Sequence, residues 1–217
     1  MRSLDTKLLI AHSFIDLVEA GDFKKVSVSD IVLASHKNRK TFYYHFPDRS
    51  KLTVWIFRYN LSRNLTEAIP PQYLVYNKAE DKELAPFPYY TFIKEGVRSI
   101  NGAPFFEQLD RTFNDHKSFY AQALADNAAD GLTAYLLRLY TPALKRDIEF
   151  ILSNRFLNDR NQEFLAEFYT GAFVSYLTKR VRARESQPLA SVTGAFGNLI
   201  HDSIAEEIGK QQQERML

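Results

Sequence analysis

The sequence predicts an all-α protein. Apolar residues recur at spacings of three and four from residue 3 to about residue 212, the period of one helix face. No stretch of any length alternates apolar and polar residues as a half-buried strand does. Ser, Asn and Asp repeatedly stand just ahead of a periodic segment, where their side chains can cap a helix. The chain has 217 residues, 45% hydrophobic and 25% charged, a composition that suits a globular protein with one large or two small cores.

The elements follow in order. Leu8, Ala11, Ile15 and Val18 share one stripe of a helix over 3–20, and Gly21 stands where a helix-stopping residue belongs. In "KKVSVSDIVLAS", Ser27 is placed to cap a second helix, and Asp30 completes a capping box. Val28, Ile31 and Val32 give that short helix its apolar face, and it can run only to about Ser35. Asn38 caps a third helix over 39–45, which Pro47 ends. Asp48 caps a fourth, long and aromatic (Trp55, Phe57, Tyr59), which continues to Ile69 and stops at "PPQY". Beyond a Pro-rich connector, helical patterns recur at 88–101, 104–114, 116–127, 130–155, 159–184 and 188–212, with a bend or break expected at Pro142.

Two short helices joined by a tight turn, braced by longer ones, form a helix-turn-helix arrangement. Phe42 and Phe46 lie on one stripe of its third helix and can seal the core, while Arg39, Lys40, Tyr43, Tyr44 and His45 lie mostly off that stripe. Such an outward surface suits double-stranded DNA, whose major groove accepts an α-helix and whose phosphates take Lys, Arg, Tyr and backbone N–H contacts. Charge agrees. Residues 1–68 hold eleven Lys/Arg against seven Asp/Glu, a balance of +4, whereas the remainder holds 17 against 19, for a net +2 overall. A basic end on a mildly acidic body points to a polyanionic partner for that end, although a solvated basic face is the blander explanation of charge alone.

Several classes are excluded or disfavoured. There is no cysteine, which removes disulfides, thiolate zinc sites and Cys nucleophiles. The five His are scattered, none paired at helical metal-site spacing, and no nucleophile elbow, Walker loop or dinucleotide fingerprint occurs. No enzyme activity, metal or cofactor is expected. No apolar run approaches the ~18 residues of a membrane helix, and Asp5, His12 and Asp16 interrupt any signal-like core; the expected location is cytoplasmic, with no membrane partner.

"SVSDIVLASHKNRKTFYYHFPDRSKL" resembles the DNA-binding domain of the tetracycline-repressor (TetR) family of bacterial regulators, from Leu8 to Phe57 and most densely over "TFYYHFPDRSKL". "NRKTFYYHF", with "VWIF" soon after, is similar to the branch that includes regulators of dihydroxyacetone kinase operons. The resemblance implies a head over 1–48 and a regulatory and dimerisation body over 49–217, with a linking helix at about 49–69. It implies that Ser27 and Ser29 touch phosphates or an adjacent base, and that Lys37, Asn38, Arg39 and Lys40 present the reading edge. Tyr43 packs or reaches the backbone, Tyr44 and His45 contact phosphates, and Arg49 grips a phosphate, with Thr41 and Lys51 completing the DNA-facing set. The chain departs from the family pattern at the turn, where His36 and Lys37 replace Gly and an apolar residue, and at Lys40, where a small residue is usual. A non-Gly residue in a left-handed turn is costly, less so for His than for most.

In the body, Leu165, Phe168, Ala172 and Tyr176 form one stripe, and Leu189, Val192, Phe196 and Leu199 another. In the family the last two helices pair with their copies as a four-helix bundle, which these stripes suit; ordinary core stripes are the alternative. Gly171–Ala172 and Gly194–Ala195 would let helices approach closely. Segment 84–120 is dense in rings, and a ligand pocket could draw on Phe92, Phe105, Phe113 and Tyr120, with Gln108 and His116 as polar anchors. Aromatics at helical spacing also read simply as core. The leading expectation is a homodimeric repressor released from a palindromic operator by a small molecule. A same-fold regulator, even an activator, controlled by a protein partner is the alternative, and a helical enzyme or scaffold with an incidental basic end is the third.

Overall fold

In the computed structural model, residues 3–126, 128–183 and 188–214 are described. Three helices, α1 (Ser3–Ala20), α2 (Val28–Ala34) and α3 (Arg39–His45), precede a long α4 (Arg49–Ala68). All three expected caps are present. Ser27 Oγ accepts from the Asp30 amide at 3.3 Å while Asp30 Oδ2 accepts from the Ser27 amide at 2.8 Å. Asn38 Oδ1 accepts from the Thr41 amide at 2.8 Å, and Asp48 Oδ1 from the Lys51 amide at 2.7 Å. Each supplies an acceptor for an N–H that the helix cannot satisfy internally. His36 takes the left-handed conformation (φ 51°), so the chain makes the turn without the usual Gly.

The first correction concerns 88–101, where a helix is expected. Pro88–Thr91 is instead a strand, β2, paired antiparallel with β1 (Leu74–Tyr76): Leu74 opposes Thr91 and Val75 opposes Tyr90. Pro86 and Pro88 remove two backbone donors, and Tyr89, Tyr90 and Thr91 are residues that suit a pleated surface. The ribbon is small and the chain remains all-α.

The body continues with α5 (Ala103–Asp115), α6 (Lys117–Ala123), α7 (Leu132–Leu152), α8 (Asp159–Ala183) and α9 (Thr193–Glu214). α7 runs through Pro142 without a break, so of the expected bend or break the break is absent. One apolar core extends from Ile10 through Phe42, Phe57 and Leu109 to Leu189, joining head and body; a smaller one binds the end of α7 to α8 and α9 through Ile148, Leu165 and Ile204.

Three features set the head against the body. α6 lies on α1, with Phe119 edge-on to Phe14 at 5.5 Å. Gln122 of α6 accepts from the Phe23 amide at 2.9 Å and donates to the Val18 carbonyl at 3.0 Å. The β1–β2 connection crosses back over α4 and reaches α1, where Glu83 pairs with Lys7. Beneath it, Arg58 of α4 is fully buried and held by Glu80, by the Tyr135 hydroxyl of α7 at 2.6 Å and by the Phe87 carbonyl at 2.6 Å.

Candidate nucleic-acid interface

α3 is amphipathic over only seven residues. Phe42 and Phe46 are buried with ring centroids 6.1 Å apart, and Phe46 meets Trp55 of α4 edge-on at 5.7 Å. That anchor turns the opposite face outward: Arg39, Lys40, Tyr43 and Tyr44 are exposed, Tyr44 by 82%. Ser27, Ser29, Asn38 and Lys51 are exposed on the same end, and Thr41 and Lys37 are half-buried. Arg39 Nη2 donates to Ser29 Oγ at 2.5 Å, tying α3 to α2 and fixing the guanidinium along the outer edge. Exposed tyrosines beside cations on an outward helix face are what a groove with phosphate walls accommodates.

Two expected contacts sit differently. Arg49 directs Nη1 at the Phe23 and Val26 carbonyls, at 2.7 and 2.5 Å, with its guanidinium 4.7 Å above the Phe23 ring. It therefore braces the α1–α2 loop first. His45 is half-buried and lines a cavity of about 350 Å³ beneath the β1–β2 connection, with Trp55, Glu80 and Tyr135. Burial, and secondarily the positive Lys7, hold its pKa below the usual value for histidine. At neutral pH the ring is uncharged, so its expected phosphate contact is at most that of a neutral donor.

The six residues expected to line a ligand pocket do not converge. Phe113 and Tyr120 pack against Phe57 of α4, with ring centroids at 5.6 and 6.5 Å, and the Tyr120 hydroxyl accepts from Asn60 at 3.0 Å. Phe92 meets Phe150, and His116 faces Glu19 at 3.6 Å. Gln108 is half-buried, its Oε1 without a partner. Of the set, Phe105 lines a recess in the body, together with Tyr90, Phe106, Tyr140 and Phe196. Rings at helical spacing became core here because α4 supplies a matching aromatic face, which only the packing reveals.

The α8–α9 stripes also divide. Phe168 (57%), Tyr176 (38%) and Leu199 (57%) are exposed, as is Ala172. Leu165 and Leu189 are buried within the chain and Phe196 is half-buried; the Val192 side chain lies outside the described residues. Phe164, not Leu165, completes the outward row, stacked on Phe168 at 5.9 Å. The true spacing is a strict four. An added Cβ at Gly171 or Gly194 meets nothing within 4 Å, so no close approach inside the chain demands either glycine.

Comparison with known proteins agrees with this geometry. Residues 101–202 match the TetR C-terminal family described as "Transcriptional regulator C-terminal region". That match takes in just under half of the chain, and the family and the relatives described next are transcriptional regulators, not enzymes. The HTH-type dhaKLM operon transcriptional activator DhaS of Lactococcus lactis subsp. lactis (strain IL1403) is 38% identical over 56 residues, 26% of this chain and 30% of that protein. The alignment thus spans less than a third of the curated relative. The solved structure of a dihydroxyacetone kinase operon activator, DhaS, has the same fold at 16% identity, with a TM-score of 0.54 over 93% of this chain and 97% of that one. Both named relatives belong to the branch that the α3 motif resembles. Among the described residues no helix is long and apolar enough to cross a membrane.

Proposed function

We propose that the chain binds double-stranded DNA as a homodimer, each copy reading one half of a palindromic operator with α3. The observation that carries this is the outward cluster of Arg39, Lys40, Tyr43 and Tyr44 over a buried Phe42–Phe46 anchor, in a capped helix-turn-helix. The uncovered row of Phe164, Phe168, Tyr176 and Leu199 supports pairing between copies, because a contiguous exposed apolar face of this kind is unusual on a solitary soluble chain. Two reading helices about 34–36 Å apart would then engage successive turns of one duplex face. A body whose conformation sets that separation controls binding, and whatever shifts the body is shifted in turn by DNA.

The leading form is a repressor released from its operator by a small molecule. The alternative is an activator controlled by a protein partner; its activating sign is favoured by both relatives, which are named as operon activators. Binding of duplex measured against salt tests the core of the reading: log K should fall steeply and linearly with log salt. Recovering the bound genomic DNA and assaying transcription from it in vitro separates repression from activation. Absence of duplex binding even in dilute buffer would defeat the reading.

A further inference from the structure

We infer that the cleft between β2, α5, α7 and α9 is a receptor site for a small organic ammonium ion with an apolar body, with Asp147 as its counter-ion. This deepens the ligand-controlled form of the proposed function and rests on that reading for its regulatory consequence.

The cleft holds about 330 Å³, within the range of small-molecule sites. Asp147 projects from α7 at its floor, only 6% exposed. Its Oδ2 accepts from the Tyr90 hydroxyl at 2.5 Å. Arg146, the cation that acts on it electrostatically, donates instead to the Tyr89 hydroxyl. Among the described residues the lining contains Asp147, Glu95 and His201 but no Lys or Arg. A buried carboxylate without a cation of its own is costly to keep ionised. Burial accordingly pushes this carboxyl up to about 7.

The cleft continues into a narrow apolar recess lined by Phe105, Phe106, Tyr140, Phe173 and Phe196. Tyr90, Phe106, Leu144 and Phe196 belong to both. The recess also holds the Thr170 hydroxyl, buried and without a hydrogen-bond partner. Aromatic rings beside a carboxylate that has no salt bridge among the described residues favour a cation carrying hydrocarbon: the rings attract it through their quadrupoles and the carboxylate through its charge. Anions face two carboxylates there and are disfavoured.

β2 connects this site to the head. Tyr90 holds Asp147, while its neighbour Tyr89 lies 5.3 Å from the buried Arg58 guanidinium of α4, which also donates to the Phe87 carbonyl. A ligand that competes for Asp147 acts on the strand that grips α4, the helix on which α3 is seated.

The test uses the full chain at pH 8, where Asp147 is charged. Calorimetry compares butylamine, hexylamine, 2-phenylethylamine and tyramine with 2-phenylethanol and phenylacetate. At least one ammonium ion should bind saturably, tenfold or more tighter than the alcohol, with phenylacetate weakest. Asp147→Asn, which can still accept from Tyr90, should bring the ammonium ion down to the level of the alcohol. Glu149→Gln, at an exposed carboxylate of α7 outside the cleft, serves as a second variant and should leave that discrimination intact. Equal binding of amine and alcohol, undiminished amine binding by Asp147→Asn, or no saturable binding of any amine at millimolar concentration overturns the proposal. Duplex affinity is measured in parallel. A chain that binds duplex but no amine loses the receptor site alone, and one that binds amine but no duplex loses the regulator reading alone.

Discussion

Arg49 and Arg39 carry the same charge into different surroundings. Arg49 closes the α1–α2 loop through two carbonyls and the Phe23 ring, whereas Arg39 reaches only Ser29 along the outer edge. Hydrogen bonds to a charged group contribute about 1.5–3 kcal/mol. Arg49→Ala should therefore lower stability without DNA by about 2 kcal/mol in chemical denaturation, as well as weakening duplex binding. Arg39→Ala and Lys40→Ala should leave the denaturation midpoint within about 0.5 kcal/mol and change which bases are preferred. If all three variants unfold at the parent midpoint, the bracing role of Arg49 is wrong. Asp147 gives a pH signature. Its carboxyl titrates at about 7 when folded against 3.8 ordinarily, so between those values the folded state holds the extra proton. Rising pH through that window removes stability, by at most about 4 kcal/mol at ~1.4 kcal/mol per unit. Asp147→Asn should flatten the pH dependence of Tm between pH 4 and 7 and melt higher than the parent at pH 8; an unchanged slope would contradict this.

At the scale of elements, the β1–β2 connection and α6 decide how the head sits. Arg58 gains its partners from the connection, β2's approach and α7 together, so it is a single buried junction between α4 and the body. Removing one member of a buried pair strands the other, at about 3–5 kcal/mol. Arg58→Ala should show that loss in denaturation, whereas an apolar replacement of similar length, Arg58→Met, should lose less. Gln122 is a smaller brace, with one bond to the last turn of α1 and one to the α1–α2 loop. Gln122→Ala should speed hydrogen exchange at the amides of residues 22–27 without altering those of α8. Uniform change across the chain would mean that the brace is not local.

For the whole molecule the proposed pairing through α8 and α9 is the property to test. Phe164 and Phe168 stack in the open, and Leu199 stands exposed on the neighbouring helix. Phe168→Asp with Leu199→Asp should yield a folded monomer by sedimentation, with the salt slope of duplex binding roughly halved, since one head neutralises half the phosphates of two. A variant that still sediments as a dimer would remove this face from the interface.

The chain order of residues fixed the local structure of the head. Ser27, Asn38 and Asp48 act on amides three residues away, and Phe42 and Phe46 reach the core through one helical turn, so near neighbours suffice to predict them. What tertiary packing alone decided lies between segments far apart in sequence. It drew Pro88–Thr91 onto Leu74–Tyr76, turned Phe113 and Tyr120 into the packing of α4, claimed Arg49 for the α1–α2 loop, and left Asp147 buried in a cleft that it lines with rings from three other elements. Burial and charge pairing depend on what arrives from the other side, and no periodicity along one segment records its eventual neighbours.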